Sequence, residues 1–169
     1  MYERILVPVD GSPTSSLGLD EAIKLARLTG ASIHLVHVVD QLTFVSGFEV
    51  YTGDLVGLLR EAGEKIIGEA KARTTASGVP VSAFLCETFG SRVCDVVLEQ
   101  AQEWKADLIV IGSHGRRGMS RLFLGSDAET VVRTAPVPVL VVRGAAAATD
   151  RPMGTSEAAA VPQRSAVPA

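Results

Sequence analysis

Five short apolar runs punctuate this chain, and a segment of helical periodicity separates each from the next. The runs are RILVPV (4–9), SIHLVHVV (32–39), PVSAFLCE (80–87), DLIVIG (107–112) and VPVLVVR (137–143). DLIVIG is the most restrictive. After Asp107 it has no polar position, so a strand built from it buries both faces, and such strands sit centrally in parallel sheets. Parallel strands need helical crossovers, and these cover the two faces of the sheet. The sequence therefore predicts an α/β fold. In such sheets ligands bind beyond the carboxyl ends of the strands, where strand order reverses. Asp10 ends the first run and Gly112 ends the fourth. If those strands are neighbours at the reversal, both residues line one crevice.

The helices carry their own boundary signals. Ser12 followed by Pro13 reads as an N-cap and first helical residue. That helix runs to about Leu28, with Leu19, Ile23 and Ala26 on one face, and Gly30 ends it. Gly18 inside it costs up to ~1 kcal/mol against Ala. A longer helix opens at Asp54 and reaches about Ala76, with Leu55, Leu59, Ala62, Ile66 and Ala70 at helical spacing. Gly78 ends it. Ser91 reads as the cap of a third helix with Val93, Val97, Ala101 and Trp104 on one face. A fourth runs from Ser126 to about Thr134. Residues 40–53 read as a loop whose Phe44, Phe48 and Tyr51 either cover a ligand or partner surface or anchor the loop itself. Residues 144–169 are rich in Ala, Pro, Gly and small polar types, and read as a disordered tail.

A chain of 169 residues has room for one domain with a real core. The net charge of −3 offers no overall basic surface for nucleic acid, so any anion site is local. No apolar run reaches the roughly eighteen residues of a membrane helix. The start, MYERILVPVD, meets Glu3 and Asp10 too soon for a secretory signal. Cys86 and Cys94 are too few for a disulfide framework or a Cys-based zinc site, and Cys94 falls in an apolar helical pattern that predicts a buried thiol. A cytoplasmic protein is the expectation.

The stretch GSHGRRGMSRLFLGS (112–126) follows the fourth apolar run. It is no P-loop, for it lacks G-x-x-x-x-G-K-[ST], and it lacks G-x-G-x-x-G as well. Two readings stand. In one, Gly112, Gly115 and Gly125 let backbone amides approach a ligand, Ser126 offers a hydroxyl at a helix N-terminus, and His114, Arg116, Arg117 and Arg121 add donors and charge. In the other the loop is only a connector, and Ser126 with Glu129 forms a capping box that needs no ligand. Asp10 likewise is either an Asx-type turn residue or a ligand contact. His34 and His37 lie three apart on a strand, point to opposite faces and suit structural roles better than a metal site. No Ser-His-Asp order, Cys-His pair or second carboxylate supplies a catalytic base. An enzyme is therefore not the favoured reading.

The spacing Gly112-x2-Gly115-x9-Gly125-Ser126 matches the G-2x-G-9x-G-[ST] motif of the universal stress protein family, and resembles its ATP-binding branch. ILVPVDGS, HLVHVVD, ADLIVIGSHG and APVPVLVVR are similar to that family too, in the same order, over about residues 1–143. The resemblance implies a single open parallel sheet of five strands in the order 3-2-1-4-5 with helices on both faces, adenine nucleotide alpha hydrolase-like. It implies that Asp10 contacts a ribose, that Pro8 and Val9 flank an adenine, and that Val38 holds the adenine by its backbone. Gly112, Gly115, Gly125 and Ser126 would bind ribose and phosphates, with His114 and Arg116 helping. Mg²⁺ or Mn²⁺ would accompany ATP. A homodimer through strand 137–143 and a regulatory protein partner are also implied. The function implied is a nucleotide-binding stress-response module. A slow ATPase or self-phosphorylating enzyme, and an interaction module independent of nucleotide, are the alternatives. Asp127 is expected to turn away from the phosphates and support its helix start, since its carboxylate would repel them unless a cation intervenes.

Overall fold

Each apolar run forms a strand: β1 (Arg4–Pro8), β2 (Ser32–Asp40), β3 (Val81–Thr88), β4 (Leu108–Gly112) and β5 (Val139–Val142). Between them lie α1 (Pro13–Thr29), α2 (Gly53–Ala76), α3 (Val93–Glu103) and α4 (Ser126–Thr134). The computed structural model describes residues 1–40, 53–115 and 124–144. The aromatic loop with Phe44, Phe48 and Tyr51 lies outside the described residues. So do Arg116, Arg117 and Arg121, and all of the expected tail beyond Gly144.

The sheet order is β3-β2-β1-β4-β5, and every pairing is parallel. The order reverses between β1 and β4, as the positions of Asp10 and Gly112 require. All five residues of β4 are buried, which its lack of polar positions foretells. Alternating side chains split the core in two. Ile5, Val7, Ile33, Leu35, Leu108 and Val110 face Leu19, Ile23 and Ala26 of α1 and Ile67 and Ala70 of α2. Leu6, Val36, Ile109 and Ile111 face Cys94, Val97 and Ala101 of α3 and Ala128 and Val131 of α4. Each large side chain sealed in this way contributes about 1.5–3 kcal/mol of transfer free energy.

The caps of α1 are as its sequence suggests. Ser12 accepts from the Ser15 amide at 3.2 Å. Gly30 takes a left-handed φ of 77° and donates its amide to the Ala26 carbonyl at 2.8 Å. Two other expectations need correcting. Ser91 does not cap α3: the N-cap is Arg92, with no side-chain cap bond. The buried stripe of α2 also differs, because Gly63, Ile67, Ala70 and Thr74 face inward whereas Ala62 is exposed. Gly63 sets this face. A Cβ there would stand 2.6 Å from Val39 Cγ2 and 3.2 Å from His37 Cδ2, so the helix packs on β2 through its smallest residue. A pattern drawn from large apolar residues misses that contact.

At the amino end of the sheet, Asp107 ties β1 to β4. Its carboxylate accepts from the Glu3 amide at 2.7 Å and the Arg4 amide at 3.1 Å. Trp104 is packed between two neighbours: the Arg4 guanidinium lies 4.6 Å from its ring centroid, and His34 stacks on it at 5.0 Å. His34 also meets Ser82 Oγ at Nδ1 and Gln100 Oε1 at Nε2. Burial lowers the His34 pKa; the Gln100 bond partly opposes this and the Arg4 charge adds to it. The unfolded chain then binds a proton at His34 that the native chain resists, so stability is present above the unfolded value of about 6.5 and is lost as pH falls below it. Thermal melts between pH 7.5 and 5.5 should show the midpoint falling with acid, and His34→Gln should flatten that fall. Equal slopes for the two proteins would contradict the assignment.

Candidate functional site

The crevice starts where β1 ends. The Val9 amide donates to the Val36 carbonyl at 2.8 Å, and the Val9 carbonyl accepts from His37 Nδ1 at 2.6 Å. Asp10 comes next. Its Oδ1 accepts from the Ser12 amide at 2.9 Å, which makes an Asx turn, and its own amide donates to Ser15 Oγ at 3.3 Å. The hydroxyls of SPTSS thus fold the chain from strand into helix around one carboxylate.

The end of β4 closes on the same place. A Cβ on buried Gly112 would lie 2.8 Å from the Thr14 carbonyl carbon and 2.9 Å from the Ser15 amide nitrogen. Those are backbone atoms of α1 and cannot step aside. Three residues on, a Cβ on Gly115 would stand 2.8 Å from Asp10 Oδ2. Oδ1 thus makes the Asx turn, and Oδ2 lies near the Gly115 backbone. The Thr14 hydroxyl donates to the His114 carbonyl, a further tie across the crevice.

The far end of the loop returns to its start. The Ser113 amide donates to the Val142 carbonyl at 2.8 Å, and the Gly125 amide donates to the Ser113 carbonyl at 2.9 Å. Gly125 and Ser126 thereby stand next to His114. The His114 ring meets Ser113 Oγ through Nδ1 at 2.9 Å. Its Nε2 is buried and has no hydrogen-bond partner among the described residues, an arrangement that asks for an explanation.

The capping-box alternative does not form. Gly125 is the N-cap of α4, Ser126 is its first helical residue, and no side chain caps the helix. The Glu129 side chain instead accepts from Arg133 one turn on. The exposed Ser126 hydroxyl and the first amides of α4 thus stand where the dipole favours an anion. Asp127 turns the other way. Its Oδ1 accepts from the Cys94 amide at 3.4 Å, in the first turn of α3, and Arg92 donates to Thr130 Oγ1 at 3.2 Å beside it. The α3 start that lacks a cap of its own is thus capped from α4. Burial, then the Asp95 and Asp127 carboxylates, push the Cys94 thiol pKa up, so this cysteine stays protonated and unreactive.

Of the residues singled out in the sequence, Pro8, Val9, Asp10, Gly112, His114, Gly115, Gly125 and Ser126 gather at the carboxyl ends of β1 and β4. Val38 stands one strand away on β2, opposite Cys86, on the α3–α4 side of the sheet. Arg116 lies outside the described residues. Thr14, Ser15 and His37 belong to the crevice framework and were not expected there; the density of hydroxyls in SPTSS was the only signal for the first two. Two surface hollows lie elsewhere: one by Gly30 and Gly78, the other between α1 and the β5 edge by Leu17 and Val142. Among the described residues no cluster of three His, Cys, Asp or Glu could hold a metal. No helix among them is long and apolar enough to cross a membrane.

The family model described as the universal stress protein family matches residues 1–143. A universal stress protein of Methanocaldococcus jannaschii is 34% identical over 144 residues, covering 85% of this chain and 83% of that protein. Among solved structures, a universal stress protein family member from Burkholderia pseudomallei superposes with TM-score 0.68 at 35% identity, over 85% of this chain and 97% of that one. Another, a universal stress protein solved in complex with cAMP, gives TM-score 0.61 at 25% identity over 84% and 97%.

The tight approach at Gly112 generates a direct test. Gly112→Ala should force α1 and β4 apart and cost about 1–3 kcal/mol in urea unfolding. A variant as stable as the parent would show that the approach is not constrained.

Proposed function

The chain belongs to the universal stress protein family, and from that premise we propose that its crevice binds an adenine nucleotide, ATP foremost, making the protein a cytoplasmic regulatory module of stress adaptation. The observation that carries this reading is the convergence of Asp10 and Gly115. Residues remote in sequence meet at the strand-order reversal, with Asp10 Oδ2 2.8 Å from where a Gly115 Cβ would lie. The relative solved with cAMP supports an adenine ligand.

In this reading residues 1–143 are the binding domain. Asp10 accepts from ribose hydroxyls, Pro8 and Val9 flank the adenine, and the Val38 backbone holds its edge. The amides at Gly112, Gly115 and Gly125 and the hydroxyl of Ser126 take the phosphates. Arg116 adds charge, and a phosphate oxygen would satisfy the orphaned His114 Nε2. Mg²⁺ or Mn²⁺ accompanies the triphosphate, bound by phosphate oxygens and water rather than by a protein cage. The reading assigns no catalytic base. Signalling then rests on protein contacts that differ between loaded and empty states.

Calorimetric titration of the purified chain with ATP and Mg²⁺ should give saturable binding. Asp10→Ala should weaken it about tenfold or more, the value of a charge-assisted hydrogen bond. Titrations with no saturable heat would sink the proposal.

The expected homodimer is part of the same proposal. β5 is an edge strand in the order observed, and its four residues are half-buried, so an antiparallel or side-by-side partner would finish their burial. Light scattering should report twice the chain mass, and Val141→Lys should return it to one. A monomeric parent at working concentration would rule the dimer out.

A further inference from the structure

His37 is buried on β2, and its ring is fixed from two sides. Its Nδ1 lies 2.6 Å from the Val9 carbonyl. A carbonyl oxygen only accepts, so Nδ1 carries a proton. On the other side α2 presses close, for a Cβ on Gly63 would lie 3.2 Å from His37 Cδ2. The Val9 amide is committed to the Val36 carbonyl at 2.8 Å. Val9 is therefore held at both of its backbone polar groups, one residue before Asp10.

That matters because β1 loses its β4 pairing before this point, while its pairing with β2 runs on to Val9. β1 ends at Pro8, and its ladder with β4 pairs only Ile5 with Leu108 and Leu6 with Ile109. Beside the Val9 amide bond to β2, the His37–Val9 bond adds a second tie at the residue where the chain leaves the sheet.

We infer that His37 is a positioning residue for the crevice: its Nδ1–H clamps the Val9 carbonyl and so aims the Asp10 carboxylate over Gly115. The consequence for ligand binding rests on the nucleotide reading above; the clamp itself does not. His37 touches no ligand. It acts through Val9 on Asp10, whose Oδ2 stands 2.8 Å from where a Gly115 Cβ would lie.

Two polar replacements separate the clamp from simple burial. Asn places its amide N–H near the position of Nδ1, whereas Gln places it near Nε2. In the full chain His37→Asn should bind ATP within about threefold of the parent, and His37→Gln about tenfold more weakly, the worth of one buried hydrogen bond. His37→Gln should also lose the parent's preference for ATP over its 2′,3′-dideoxy analogue, a discrimination that Asp10 carries and that general loosening would leave intact. Folded variants with equal affinities, or with the order reversed, would overturn the inference. A second measurement needs neither variant nor nucleotide. The imidazole ¹⁵N spectrum of the parent should show a protonated Nδ1 with a scalar coupling to the Val9 carbonyl carbon, and a bare Nδ1 with the proton on Nε2 alone would overturn the clamp. A parent that bound no ATP but kept the coupled Nδ1 proton would refute the nucleotide reading and leave the clamp standing.

Discussion

The last residue of β4 touches the first turn of α1 backbone to backbone, with the Gly112 Cα where no Cβ can follow. This contact decides the geometry of the crevice. It draws the amino end of α1 against the end of the central strand, so that Asp10, in the turn before α1, faces Gly115, in the loop after β4. The Thr14 hydroxyl bonding the His114 carbonyl holds the same two segments together. A larger residue at position 112 would open this seam, and every distance across the crevice would change with it.

The charges follow from the same arrangement. In a parallel sheet each strand delivers the chain to the start of a helix at its carboxyl end, so helix amino termini collect there. α1 begins three residues after Asp10 and α4 begins at Ser126. The α1 start is capped by Ser12, so it is the first amides of α4, which no side chain caps, that bring local positive dipole character to a protein of net charge −3. Asp127 is the residue that could have spoiled this. It gives its carboxylate to the start of α3 instead, at the Cys94 amide. A helix without a cap of its own and an acidic residue in the first turn of α4 thus resolve each other.

Much of this was legible in the sequence, for identifiable reasons. The β4 run had no polar position, which forced a central strand and with it an α/β sheet. Ser12-Pro13 and Gly30 marked α1 because caps and left-handed glycines act locally. The glycine spacing of the loop, taken with Asp10, pointed to one crevice at the reversal. Local rules failed where a neighbour decided the outcome. Ser126 fits a capping box by spacing, yet Gly125 is the cap, because the Gly125 amide is fixed to Ser113 and α4 starts one residue earlier than the box requires. Ser91 loses its role to Arg92, with Asp127 reaching in from α4. The inward face of α2 follows Gly63, since close approach favours the smallest residue over the largest. His37 read as structural, but its partner could not be read, because it is the carbonyl of Val9, remote in sequence and just past the end of β1.

The account stands on the crevice at the β1–β4 reversal being the place where an adenine nucleotide sits. Backbone amide spectra recorded during an ATP titration with Mg²⁺ test this residue by residue. The account predicts saturable shifts, with one common dissociation constant, at Gly112, Gly115, Gly125 and Ser126 and at Asp10, while Gly30 and Gly78 at the opposite end stay still. Shifts confined to residues away from the ends of β1 and β4, or none at saturating nucleotide, would contradict it.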